Sequence, residues 1–160
     1  QGCPAQVETQ CGDEVDDDGD GLIDCDDLDC SQTGICLEGC IPSLTSDVLC
    51  GFSQELGTGG GSALATNYEC GFGEPDAPGK EVVYPFSVSE FKFVTATISA
   101  GVGAGLYLLQ DTGKGCTPKD CIQYGLNQVQ FTASPGVSYY LVVDSVVDAS
   151  VTFAINVSCL

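Results

Sequence analysis

The sequence has no histidine and no arginine, and four lysines stand against 23 acidic residues, for a formal net charge of −19. Each shortage excludes something. A phosphate backbone is held by Lys and Arg, so nucleic acid is a poor partner, and anionic membrane surfaces are disfavoured for the same reason. Without histidine there is no Ser-His-Asp triad and no Cys–His dyad. No apolar run approaches the roughly 20 residues of a membrane span. No C-x-x-C pair occurs, so the usual zinc and iron–sulfur spacings are missing. Long amphipathic helices are absent as well, since helix formers are sparse while Val, Thr, Tyr, Phe, Gly and Ser are common.

What remains is a chain of 160 residues with 43% apolar content and eleven cysteines. That cysteine density points to disulfides made in an oxidising compartment, hence a secreted, extracellular or cell-surface protein. A sequence opening on Gln1 rather than Met is read as a mature protein whose leader has been removed. Composition changes near Cys40. Residues 1–40 hold six cysteines and few large apolar side chains, too few for hydrophobic burial to order them. Residues 41–160 alternate short β-rich runs with Gly, Pro, Asn and Asp turns, the pattern of a sandwich or barrel. The expected organisation is a Cys/Asp-rich arm, 1–40, followed by an all-β domain, 41–160.

Seven strands are expected, at Glu81–Ser89, Phe91–Ser99, Gly105–Gln110, Ile122–Tyr124, Gln128–Ala133, Ser138–Ser145 and Val151–Ser158. In the second, Lys92, Val94, Ala96 and Ile98 alternate with Phe93, Thr95, Thr97 and Ser99, a period of two that implies one buried face. Tyr139–Val143 is nearly continuously apolar, as for a central strand covered on both faces. Two Gly-rich stretches, Gly57–Ser62 and Gly101–Gly105, lack the context of a phosphate loop or dinucleotide fingerprint and read as turns. Asn156-Val-Ser158 is a formal N-glycosylation sequon, but it falls within an expected strand. Packing accounts for Tyr139 and Tyr140 more simply than sugar stacking does. Other acids are scattered, so paired catalytic carboxylates are not indicated and the chain is expected not to be an enzyme.

The densest signal is CGDEVDDDGDGLIDCDDLDC, residues 11–30, in which ten of twenty positions are Asp or Glu. Asp16, Asp18 and Asp20 fit positions 1, 3 and 5 of a calcium loop, Gly21 the obligatory glycine, Leu22 the backbone-carbonyl position, Asp24 position 9 and Asp27 position 12. Calcium takes six to eight oxygens, and alternate residues place carboxylates around one centre. Ile23 would anchor the loop on apolar neighbours. Asp13, Asp17, Asp26 and Asp29, with Glu14, remain as ligands for a second ion. Flanking helices are not evident, so the stretch resembles the thrombospondin type 3 and other helix-poor Asp-rich calcium repeats.

Sequence proximity suggests Cys116 bonded to Cys121 and Cys50 to Cys70, with Cys159 tying back to Cys40. Cys11, Cys25, Cys30 and Cys36 would then pair within the arm, leaving Cys3 free or intermolecular; connectivity is not fixed by sequence.

Glu81-Val-Val-Tyr-Pro-Phe-Ser-Val88, Val94-Thr-Ala-Thr-Ile98, Gly105-Leu-Tyr-Leu-Leu109, Phe131-Thr-Ala133 and Gly136-x-x-Tyr-Tyr-Leu-Val-Val-Asp144 occur in an order that resembles the bacterial pre-peptidase C-terminal (PPC) domain. Cys50 and Cys70 stand where that family's early cysteines are expected. The resemblance implies a jelly-roll-like antiparallel β-sandwich, often attached to secreted peptidases and sometimes carrying calcium at its N-terminal edge. With no catalytic domain in sight, the expected function is that of a calcium-stabilised structural protein. It would be a self-associating protomer of an extracellular filament or surface assembly. The alternatives are a module binding polysaccharide or protein, and an accessory or secretion domain of a hydrolase.

Overall fold

The structure is a computed structural model, and it describes residues 19, 39–71, 77–100, 103–147 and 149–160. The chain divides into two units, Gln1–Glu38 and Gly39–Leu160; the architecture below is that of the second. Eight strands carry it: β1 Ser53–Gly57, β2 Glu81–Phe86, β3 Lys92–Ala100, β4 Ala104–Gln110, β5 Cys121–Gly125, β6 Gln128–Ala133, β7 Tyr139–Ser145 and β8 Thr152–Cys159.

They form two four-stranded antiparallel sheets, ordered β1-β8-β3-β6 (sheet I) and β2-β7-β4-β5 (sheet II). The chain changes sheet at every connection but the β4–β5 hairpin, and the result is the expected β-sandwich. The two-residue alternation of β3 is realised, with Val94, Ala96 and Ile98 buried between the sheets while Phe93 and Ser99 are exposed. The same inner layer takes Tyr84 and Phe86 from β2, Leu106 and Leu108 from β4, Leu141 from β7, and Phe153 and Ile155 from β8. Each such side chain contributes roughly 1.5–3 kcal/mol on removal from water.

Sheet II is covered on both faces. A second cluster lies on its outer side, where Val83, Tyr107, Leu109 and Val142 pack beneath Cys40, Ala65, Tyr68, Cys70, Ala77 and Cys116. The cap is built from loop backbone rather than a third sheet. This explains why β2, β4 and β7 are apolar on consecutive residues, as anticipated for Tyr139–Val143.

Three disulfides hold cap and edge, and their pairing corrects the sequence reading. Cys40 bonds Cys116, Cys50 bonds Cys159 and Cys70 bonds Cys121, in place of Cys116–Cys121, Cys50–Cys70 and Cys40–Cys159. Strand register is the cause. Ser53 faces Asn156 across the β1–β8 ladder. Three residues back along β1 and three on along β8 stand Cys50 and Cys159, joined through Gly51 N–H to Val157 O (2.7 Å) and Val157 N–H to Phe52 O (2.8 Å). Cys116 is drawn away from Cys121 because its carbonyl accepts from Cys40 N–H at 3.0 Å. A 3₁₀ turn at Pro118–Asp120 then separates it from the start of β5.

β1 itself was not expected. Gly57–Ser62, read as a turn, is a 3₁₀ turn at Thr58–Gly60 followed by a bridge from Ser62 to Glu81.

Candidate functional site

The described residues place polar groups in two settings. The first is inside the protein. Glu81 and Asp144 both have 0% exposure, although acids are rarely buried unless paired with a cation. They are register partners on β2 and β7 and share the outer face of sheet II with Val83, Val142 and Tyr107. The segment 58–68 passes over them as a strap. Ser62 Oγ donates to Glu81 Oε1 at 2.5 Å, Leu64 N–H donates to the same oxygen at 3.1 Å, and Tyr68 OH donates to Asp144 Oδ2 at 2.7 Å. Lys80, next in the chain, sends its ammonium to the Gly59 carbonyl instead (3.2 Å).

Tyrosines close the site. Tyr68 stacks on Tyr107 with centroids 3.8 Å apart, and Tyr107 meets Tyr124 at 4.9 Å. Gly105, opposite Asp144 on β4, makes this possible: a Cβ there would lie 2.8 Å from the Tyr124 ring and 3.1 Å from that of Tyr107. Burial, reinforced by the charge of Glu81, pushes the Asp144 carboxyl up to about 7 despite the opposing hydrogen bond from Tyr68. The Tyr68 phenol moves up as well, by burial first and then by the negative charge of Asp144. Both acids stand inside the motifs that carry the PPC resemblance, yet nothing singled them out. The available signal was an acid set in an otherwise unbroken apolar strand.

The second setting is the outer face of sheet I. Register aligns Gln128, Thr97, Asn156 and Ser53 in one row across its four strands, and Gln130, Thr95 and Ser158 in the next. Gln130 Nε2 donates to Thr95 Oγ1 at 3.2 Å and Ser158 Oγ to Thr95 O at 3.3 Å. Glu55 is the acid on this face, and Phe93 lies exposed at one end beside Leu160. Asn156 of the sequon is exposed here. Tyr139 is buried and accepts from Ser134 N–H (3.1 Å), and Tyr140 packs into the cap layer, so neither offers a stacking platform.

Edges differ in their protection. β2 is flanked by residues 43–48 through Ser43 N–H to Val83 O and Val48 N–H to Pro85 O, both 2.8 Å. β5 and β6 are stitched by Gln130 N–H to Gln123 Oε1 at 3.0 Å. β1, at the opposite end of sheet I from β6, has no strand on its far side among the described residues. An open hollow of about 660 Å³ lies across β1, β8 and the end of β3, lined by Glu55, Leu56, Ser99, Thr152 and Ala154 among others.

The calcium-loop residues Asp16, Asp18, Asp20, Leu22, Asp24 and Asp27, the second-ion candidates Asp13, Asp17, Asp26 and Asp29, and Cys3, Cys11, Cys25, Cys30 and Cys36 lie outside the described residues. Gly19, between Asp18 and Asp20, has a left-handed φ of 76°. Among the described residues no three His, Cys, Asp or Glu side chains form a metal-holding group, and no helix is long and apolar enough to cross a membrane.

No protein-family model matches the chain. Among curated proteins, human teneurin-4 is 62% identical over 29 residues, 18% of this chain and 1% of that protein. Teneurin-1 of Gallus gallus is 54% identical over 35 residues, 22% of this chain. The chain thus spans about 1% of the curated relatives it matches. Among solved structures, it resembles the PPC domain of a Bacillus anthracis collagenase at 17% identity and a TM-score of 0.50, covering 74% of this chain and 98% of that one. A periplasmic inhibitor of g-type lysozyme from Aeromonas hydrophila aligns at 13% identity, over 75% of this chain and 95% of its own, with a TM-score of 0.48. The first of these likenesses shows the fold, a β-sandwich like that of the PPC domain, to which this chain adds its own three disulfides among the described residues.

Proposed function

We propose that the chain is a secreted, non-catalytic structural module that self-associates in an extracellular assembly, with calcium ordering its Asp-rich arm. The observation that carries this reading is the distribution of protected and open edges. β2 is flanked along its outer side, β5 and β6 are linked by a side-chain hydrogen bond, and β1, at the other end of sheet I, has no strand beyond it among the described residues. An unpaired strand edge is a template for another chain. The three disulfides around the sandwich suit a body that must keep its shape outside the cell. For the arm, the D-x-D-x-D-G order supports calcium, as does the left-handed Gly19 within it.

Electron microscopy of the purified protein with calcium and with chelator tests the proposal. Ordered polymers that dissolve on chelation are expected. A monodisperse monomer at high concentration in saturating calcium would sink it. Separately, calcium should protect 11–30 from proteolysis, and equal cleavage with and without calcium removes the metal from the account.

A second reading is favoured by the rows of uncharged polar side chains on the outer face of sheet I. Rows of Gln, Thr, Asn and Ser in a chain of net charge −19 suit a neutral polysaccharide, whose hydroxyls exchange hydrogen bonds with amides and hydroxyls. Thr97→Lys with Asn156→Asp should abolish retention on a glycan array while leaving the fold intact; unchanged retention by the variant excludes this face.

A further inference from the structure

The buried acid pair has an unresolved hydrogen-bond account. Glu81 Oε1 and Asp144 Oδ2 are supplied by the strap. The other two oxygens, Glu81 Oε2 and Asp144 Oδ1, are buried with no hydrogen-bond partner. Register places the two side chains on one sheet face, where opposed Cβ atoms stand about 4.5–5.5 Å apart, within reach for two carboxyl groups to meet. Two ionised carboxylates so placed would leave both acceptors orphaned and both charges unscreened. A single proton removes both faults, because a protonated carboxyl donates to the remaining carboxylate and satisfies the two orphans in one bond.

We infer that Asp144 carries a proton, aimed at its register partner Glu81, and that this proton latches the strap 58–68 onto sheet II. The groups facing the pair fit a proton rather than a metal. They are the Ser62 hydroxyl, the Leu64 amide and the Tyr68 phenol of the strap and the backbone amide of Ser145, with Tyr107 of β4 alongside and no titratable side chain at Gly105. Lys80 is turned to Gly59. Glu81 and Asp144 are the two acids at this site, and among the described residues no three His, Cys, Asp or Glu side chains gather to hold a metal.

Opening the strap gives the oxygens to water and frees the proton. Closing is therefore linked to proton uptake, and the device responds to pH. Between the ordinary aspartate range and about pH 7, where Asp144 holds its proton in the closed form, the opening equilibrium rises roughly tenfold per pH unit. Above that it levels. The strap stays tethered at Cys70 by its bond to Cys121, so opening uncovers Tyr107 and Val142 without releasing the chain. This latch goes beyond the assembly reading and does not depend on it.

The test is hydrogen exchange of the 61–68 amides in the full chain from pH 4.5 to 8.5, corrected for intrinsic rates, alongside ¹³C NMR of the Asp144 carboxyl. Protection should fall about tenfold per unit to near pH 7 and then level, while the Asp144 carboxyl titrates far above exposed aspartates. In Asp144→Asn, whose amide donates permanently to Glu81 Oε2, the slope should vanish with protection retained. A pH-independent strap, an unchanged slope in the variant, or stoichiometric metal whose chelation opens the strap at pH 5 would each overturn the inference. Should the variant not fold, the wild-type carboxyl titration decides alone: an ordinary aspartate value refutes the proton on Asp144.

Discussion

Replacing Cys50 and Cys159 by serine removes the longest crosslink among the described residues, with a sequence separation of 109. In the chain-entropy model a loop of that size constrains the unfolded state by about 5 kcal/mol. Cys50 is exposed and Cys159 half-buried, so little packing is lost and the entropic effect dominates. The Cys70–Cys121 bond closes a shorter loop, with a separation of 51, worth about 4 kcal/mol on the same footing. Both of its cysteines are buried, at 5% and 8% exposure. Serine there leaves two hydroxyls in an apolar layer at roughly 1–3 kcal/mol each. The shorter loop should therefore be the costlier one to cut, because desolvation outweighs a loop-length difference of less than about 1 kcal/mol.

Guanidinium unfolding of the two double variants checks the order, with the Cys50/Cys159 pair losing about 3–5 kcal/mol and the Cys70/Cys121 pair more. The pairing itself is checked by non-reducing digestion with trypsin and chymotrypsin. Cleavage at Lys114 and Lys119 frees Gly115–Lys119, which carries Cys116. That peptide must come away bonded to the Cys40 fragment. Finding it on the Cys121 fragment, or a loss below about 1 kcal/mol for the Cys50/Cys159 variant, would refute the reasoning from register.

Three further outcomes are expected. Asp144 holds its proton to about pH 7 when folded and releases it near 3.8 when unfolded, so the folded state binds more protons between those values. Stability is then fully present below the lower value and falls by up to about 4 kcal/mol as pH rises to 7, flat beyond; urea midpoints that rise across this window contradict it. Tyr68→Phe takes a donor from buried Asp144 at a cost of about 2 kcal/mol. Because that hydrogen bond lowers the Asp144 value, the upper end of the window should move above 7, as read by the same titration. Gly61→Ala would set a Cβ 1.9 Å from the Glu81 carbonyl, whereas at Gly60 nothing lies within 4 Å. The first should cost about 3 kcal/mol or more and the second under about 0.5; equal melting temperatures would show that the 57–62 turn is not packed on β2.

Strands carrying Val, Ile, Leu and Tyr at regular spacing were legible in the sequence. Gln128–Ala133 coincides with β6, β4 and β7 differ from expectation by one residue at their start, β3 and β8 are shifted by one residue, and β2 ends three residues earlier than expected. β1 was not, because Ser-Gln-Glu-Leu-Gly has no β-branched residue and no apolar alternation. Its strand state is imposed by β8 and the Cys50–Cys159 bond, which are tertiary facts. Disulfide pairing failed for the same reason. Proximity along the chain favours short loops, whereas register decides which sulfurs meet. Glu81 and Asp144 were visible as acids in apolar strands, but their pairing across β2 and β7 needs the strand order β2-β7-β4-β5, which pattern alone does not supply.

The two sheets divide the labour in a way that limits where a partner can bind. Sheet II has spent both faces, one on the core and one on the cap, and its edges are flanked or stitched. Any partner meeting it must first displace the strap, which is held by Ser62, Leu64 and Tyr68 on a pair of acids. Sheet I keeps a polar outer face and the β1 edge. A constitutive partner of the kind proposed would therefore meet sheet I, where docking leaves the hydrophobic layers untouched. Contacts that depend on conditions belong to the capped face of sheet II, where access follows the state of the strap. The same acid pair that costs stability above neutral pH thus gives this side of the module its dependence on pH.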